Sequence, residues 1–172
     1  SACGTGYYAA LVGRYYFERY ARIACDLDVA SEFRYRESPL NGIDLALFIS
    51  QSGETADTLA SLRYAKSQGV RAAAIVNVPE STIAREADVV WPTLAGPEIG
   101  VASTKAFTCQ LTALAALAIR AGVARGVIDA AQELELTRQL MEVPRLVNEA
   151  LALEPEIELF GHELAGKRHA LY

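Results

Sequence analysis

The chain has 172 residues, 52% of them hydrophobic and 22% charged, which describes a folded globular chain of one-domain size, long enough to bury one sizeable core. Sixteen basic against twenty-one acidic residues leave a net charge of −5, which argues against a nucleic-acid binder held by phosphate-backbone contacts. No apolar run approaches the roughly 18 residues of a membrane span, and no signal-peptide pattern follows Ser1.

Three widely spaced cysteines (Cys3, Cys25, Cys109) suit a reducing cytoplasm and argue against a disulfide scaffold or a CxxC metal site. His162 and His169 are the only histidines, which weakens any imidazole-based metal site or Ser/His relay. No cofactor and no metal are expected.

Helical and strand patterns then alternate along the chain. Ser1-Ala2-Cys3-Gly4 reads as the end of a strand entering a glycine turn. Thr5 to Tyr20 reads as a helix, with Leu11, Val12, Tyr15 and Tyr16 sharing a face. Cys25 to Val29 alternates like a strand. Glu32 to Glu37 reads as a charged surface or contact segment. Leu45-Ala46-Leu47-Phe48-Ile49, inside the stretch Asp44 to Ser50, is a continuous apolar run of the kind buried on both faces of a parallel sheet. A helix follows from Glu54 to Gln68, ended by Gly69. Ala72 to Asn77 is a second apolar strand, Ser81 to Glu86 a helical turn, and Asp88 to Trp91 a short strand. Pro92 to Gly100 is a loop. Ser103 to Ala121 is a long apolar helix stopped by Gly122, too apolar for a lone surface helix and so a core or interface element. From Val127 the pattern is helical, with breaks at Pro144 and near Pro155. Ala170-Leu171-Tyr172 looks like a strand just starting, so either the sequence is a fragment of a longer protein or both ends are unusual.

This alternation predicts an α/β fold, a doubly wound parallel sheet with helices on both faces. Ligands in such folds sit at the carboxyl ends of strands, which here selects the loops Gly4–Gly6, Ser50–Thr55 and Ala95–Thr104. In Ser50-Gln51-Ser52-Gly53-Glu54-Thr55 a buried strand opens into a helix. Helix N-termini carry unpaired N–H groups and partial positive charge, so the loop suits an anion. Four donor side chains and no lysine or arginine suit a phosphomonoester held by neutral donors; a nucleotide P-loop would end in Gly-Lys-Ser/Thr. The competing role for Ser52 is helix capping. Gly4, Gly6 and Ala9, with Asp26 or Asp28 about twenty residues later, also satisfy a dinucleotide fingerprint. In the third loop Ser103 is a candidate cap, Lys105 a solvated or ligand-facing cation, and Glu98 an acid, a base or an exposed side chain.

Cys3-Gly4-Thr5, Ala30–Tyr35, Ser50–Thr58 and Glu98–Thr108 together resemble the isomerase part of the glutamine–fructose-6-phosphate aminotransferase (glucosamine-6-phosphate synthase) family, specifically its first SIS domain, in order along residues 2–172. The SQSGET stretch alone points only to the wider SIS superfamily. The resemblance implies a three-layer αβα sandwich, flavodoxin-like, on a five-stranded parallel sheet. It implies that Ser50, Gln51, Ser52 and Thr55 hold the 6-phosphate, that Thr5, Gly6 and Ser103 line the same pocket, and that the Val101 backbone meets sugar hydroxyls. Gly6 stands where many members have Ser. It implies residues 1–125 as the sugar-phosphate domain and 126–172 as a helical extension toward a second SIS domain. It implies fructose 6-phosphate or glucosamine 6-phosphate as ligand, a cytoplasmic homodimer, and no nucleic acid or membrane partner. The glutaminase domain and second SIS domain of that family are not in this sequence, so no catalytic residue is assigned and the chain alone is expected to be inactive. The competing readings are a sugar-phosphate sensor, another phosphosugar isomerase, and an NAD-dependent oxidoreductase.

Overall fold

The computed structural model describes residues 1–100 and 103–169, and among them two compact units, Ser1–Ala130 and Ala131–Tyr172. The sheet of the first unit is parallel. It joins β1 (Leu45–Ser50) to β2 (Arg71–Val76), Leu45 opposite Arg71, and β2 to β3 (Val89–Pro92), Ala73 opposite Val89. Isolated parallel bridges from Ala2 to Ile49 and from Ala2 to Val29 extend it beyond β1. Among the described residues the expected five strands are three strands and two single-bridge segments. The stretch before Val29 makes only that one bridge, which corrects the strand read at Cys25 to Val29.

Strand residues alternate between two helix layers, as a period of two requires. Phe48, Ala72, Ala74 and Val76 face one side, where they meet Leu62 and Ala65 of α3 (Ala56–Ser67) and Ile83 of α4 (Thr82–Glu86). Ile49 and Ile75 face the other, where they meet Ala9 and Ala10 of α1 (Gly4–Tyr16) and Leu114 of α5 (Lys105–Ala124). A strand sandwiched this way has no polar face, which is why Leu45–Ile49 of β1 and Ala72–Val76 of β2 are unbroken apolar runs. The αβα sandwich is therefore present. α2 (Ala30–Arg36) folds from the segment read as charged surface, and its Arg34 pairs with Asp57 of α3 at 2.8 Å.

Two helix readings change. The core face of α1 is Gly6, Ala9, Ala10 and Gly13, with Tyr15 exposed, because the helix lies too close to the sheet and to Leu114 for bulky side chains. α1 passes into a π-helical turn at Phe17–Ala21, and Gly122 of α5 packs on it: a Cβ there would lie 2.3 Å from the Tyr20 carbonyl oxygen. Gly122 is thus a close-approach residue inside α5, not its stop. The helix runs on to Ala124 and turns at Gly126 (φ +70). Gly122→Ala should cost about 1–3 kcal/mol, the usual range for overpacking against atoms that cannot retreat, measured as a fall in the urea midpoint. By length and composition alone α5 is long and apolar enough to cross a membrane, a test that buried core helices also pass. In this fold it is a core helix, its Ala106, Gln110, Leu114 and Ala118 buried.

Asp88, just before β3, accepts the Ala72 N–H and the Lys66 ammonium, each at 2.8 Å. The Ala72 bond and then Lys66 hold its pKa below the ordinary 3.8. Glu86, paired to Arg63, is likewise held below 4.5. Depressed carboxylates contribute stability above their unfolded pKa and lose it as pH falls through the folded one. The melting temperature should be level above about pH 5 and fall in acid, and Asp88→Asn should flatten part of that slope.

In the second unit α6 (Ala130–Leu151) runs straight through Pro144, and the break falls at Ala152–Leu153. Arg145 pairs with Glu142 and Glu149, bracing the turns on both sides of the proline. Pro155 stands in the first turn of α7 (Glu154–Leu164), where a missing N–H costs nothing. Ala170–Tyr172 lies outside the described residues.

Candidate functional site

A cleft of about 360 Å³ opens at the carboxyl end of β1, within the size range of small-ligand sites. Its wall brings together the residues that sequence motifs had singled out in three separate loops. Cys3, Gly4, Thr5 and Gly6 come from the start of α1. Ser50, Gln51, Ser52 and Thr55 come from the β1–α3 turn. Glu98, Gly100 and Ser103 come from the loop before α5. Of the expected site residues, Val101 alone lies outside the described residues.

The β1–α3 turn is built around Gly53. Its φ of +66 lets the chain reverse, and its missing side chain lets Ser81 approach: a Cβ on residue 53 would lie 1.9 Å from Ser81 Oγ. The Gly53 carbonyl accepts the Ile83 N–H at 3.0 Å, and the Gln51 carbonyl accepts the Asn77 N–H at 3.1 Å, tying the turn to α4 and to the end of β2. Inside the turn, Gly53 N–H donates to Ser50 Oγ at 3.0 Å, and Ser50 Oγ lies 3.0 Å from Thr55 Oγ1. The Glu54 N–H donates to Ser52 Oγ at 3.2 Å. Glu54 itself points away to accept the Thr82 N–H at 2.6 Å, and that bond holds its carboxyl below the ordinary 4.5.

The capping alternative for Ser52 does not hold. Thr55 is the N-cap of α3, and its side chain makes no capping bond. Cys3, the N-cap of α1, makes none either. Two helix N-termini therefore meet the cleft without a capping side chain on their first-turn amides, and both bring partial positive charge to it. At α5 the reverse holds. Glu98 takes the Ala106 N–H at 3.3 Å and the Ser103 hydroxyl at 3.4 Å, so the carboxylate and not Ser103 caps that helix.

Among the described residues lining the cleft there is no lysine or arginine, and the titratable ones are Cys3 and Glu98, the latter committed to α5. The site is an array of neutral donors suited to an oxyanion. The dinucleotide alternative fares poorly here: Gly6 is packed 3.1 Å, measured from its would-be Cβ, from the Ile49 carbonyl, and Asp28 is paired with Arg36.

Gln110 also lines the cleft, and it was not singled out from the sequence. The signal was present: residues 106, 110, 114 and 118 recur every four positions on one helix face, and three of them are Ala, Leu and Ala.

Comparison with known proteins gives the family and the fold. The SIS domain model matches residues 1–120. A glutamine–fructose-6-phosphate aminotransferase [isomerizing] from Mesorhizobium japonicum is 66% identical over all 172 residues, and one from Brucella abortus is 63% identical over the same span. The chain spans 28% of the length of those relatives. Among solved structures, the C-terminal domain of glucosamine-fructose-6-phosphate aminotransferase from Francisella tularensis superposes with a TM-score of 0.94 at 44% identity, over 98% of this chain and 48% of that one. A glucosamine-6-phosphate deaminase from Thermotoga maritima superposes at 0.65 with 26% identity, over 79% of this chain and 42% of that one.

Proposed function

The chain belongs to the SIS domain family, and from that premise we propose that it is the hexose-6-phosphate-binding domain of an isomerising glutamine–fructose-6-phosphate aminotransferase. The observation that carries the reading is the convergence of Ser50, Gln51, Ser52 and Thr55 with Thr5, Gly6 and Ser103 on one cleft at a strand's carboxyl end. The turn hydroxyls and the first-turn amides of α1 and α3 hold the phosphate. The sugar extends toward Ser103 and the loop before α5.

Within the parent enzyme this domain fixes the substrate by its phosphate while groups elsewhere open the ring, move the proton and deliver the amino group, giving glucosamine 6-phosphate. Residues 1–125 form the binding domain and 126–172 the extension toward a second SIS domain. The parent is a cytoplasmic homodimer carrying a glutaminase domain as well. The chain alone binds and does not turn over.

Fructose 6-phosphate and glucosamine 6-phosphate should raise the melting temperature of the 172-residue chain, and NAD should not. At a hundred times Kd the gain is about 2.7 kcal/mol, or several degrees for a chain of this size. A shift with NAD alone, or isomerase turnover by the isolated chain, contradicts the reading.

A further inference from the structure

Gln110 is 2% exposed, and its Oε1 is a buried side-chain oxygen with no hydrogen-bond partner. The large majority of buried side-chain polar atoms are paired, so an unpaired acceptor at this depth calls for an explanation. Its place on α5 narrows the choice. It follows Ala106 and precedes Leu114 and Ala118 on the face turned to the sheet, where an aliphatic residue would pack at no cost. It is the member of that stripe that reaches the cleft wall. The same cleft is walled by the phosphate-binding turn, so a molecule anchored there by its phosphate has its remaining polar groups within the space that Gln110 borders. A half-turn about the soft terminal torsion of the side chain exchanges the amide oxygen and nitrogen, so one residue can offer either an acceptor or two donors to that space.

Resting on the sugar-phosphate reading above, we propose that Gln110 is a specificity-determining residue whose side-chain amide hydrogen-bonds a hydroxyl of the bound hexose 6-phosphate. The turn recognises the phosphate, and Gln110 recognises the sugar attached to it. Gln110 therefore separates a hexose 6-phosphate from inorganic phosphate, which the turn alone does not.

The test is calorimetric titration of the 172-residue chain and its Gln110→Met variant with fructose 6-phosphate and, separately, with inorganic phosphate. Methionine keeps the length and flexibility of the side chain and cannot pair with a hydroxyl. Loss of one neutral hydrogen bond should weaken fructose 6-phosphate binding about three- to tenfold and leave phosphate affinity unchanged. The unliganded variant should melt at or above the wild-type temperature, since it removes an unpaired buried group. In the wild-type chain, the Gln110 side-chain NH₂ resonances should move on adding fructose 6-phosphate and stay put on adding inorganic phosphate, a readout that survives even if the variant fails to fold. Equal fructose 6-phosphate affinity in both proteins, an equal loss for both ligands, or unmoved NH₂ resonances overturns the role of Gln110 while the phosphate turn stands. A wild-type chain that binds neither ligand overturns the turn as well.

Discussion

Replacing Ser52 and Thr55 together with alanine is expected to abolish the thermal stabilisation that fructose 6-phosphate gives the chain. A hydrogen bond to a charged group contributes about 1.5–3 kcal/mol, so losing two costs about 3–6 kcal/mol, a hundredfold or more in affinity. The free protein should barely notice. Thr55 makes no capping bond to α3, and Ser52 supports only the Glu54 N–H within the turn. What Thr55 does in the unliganded chain is sit 3.0 Å from Ser50 Oγ, which aims both hydroxyls. Thermal denaturation with and without ligand separates the two effects: the unliganded midpoint stays near wild type and the ligand-induced rise disappears. Retention of most of that rise would place the phosphate elsewhere.

Gly53→Ala is expected to cost about 2–5 kcal/mol, combining left-handed backbone strain with overpacking, and to cripple ligand binding in whatever folds. The new methyl would lie 1.9 Å from Ser81 Oγ and 2.4 Å from Ser81 Cβ. Ser81 is itself buried, and its hydroxyl accepts the Ala84 N–H at 3.4 Å as the cap of α4, so it cannot step aside freely. Moving residue 53 instead breaks its carbonyl's bond to the Ile83 N–H and the Gly53 N–H bond that orients Ser50. Adding Ser81→Gly should recover the clash portion and leave the strain of a φ of +66. Urea unfolding of the single and double variants measures both portions; a single variant as stable as wild type refutes this account of the turn.

How much of this was legible beforehand follows from what each residue's signal depends on. β1 and β2 were readable because a strand buried on both faces needs only apolar residues, and both runs are short and bounded by turn residues, unlike the longer apolar run inside α5. The phosphate turn was readable because its donors are contiguous in sequence and follow such a strand. The segment at Cys25 to Val29 misled because alternation describes a half-buried strand equally well whether or not a neighbour pairs with it along its length. Gly122 misled because a helix-stopping glycine and a glycine that admits another backbone look the same until Tyr20 is seen beside it. Pro144 misled because a lost N–H is tolerable inside an exposed helix with ion pairs on both sides. Spacing groups Tyr15 with Leu11, Val12 and Tyr16 on one face of α1, whereas closeness to the sheet selects Gly6, Ala9, Ala10 and Gly13 for the core. Gln110 stood out in the sequence only as the polar member of an apolar stripe, while its unpaired oxygen is visible only in three dimensions.

The central claim is that a turn of neutral donors at the end of β1 grips a phosphomonoester, and a crystal structure of the chain with fructose 6-phosphate tests it most directly. The account predicts phosphate oxygens within about 2.5–3.2 Å of the hydroxyls of Ser50, Ser52 and Thr55 and of the first-turn amides of α3. A bound sugar phosphate whose anion sits away from that turn, with the three hydroxyls still engaged only with one another and the local backbone, would contradict it.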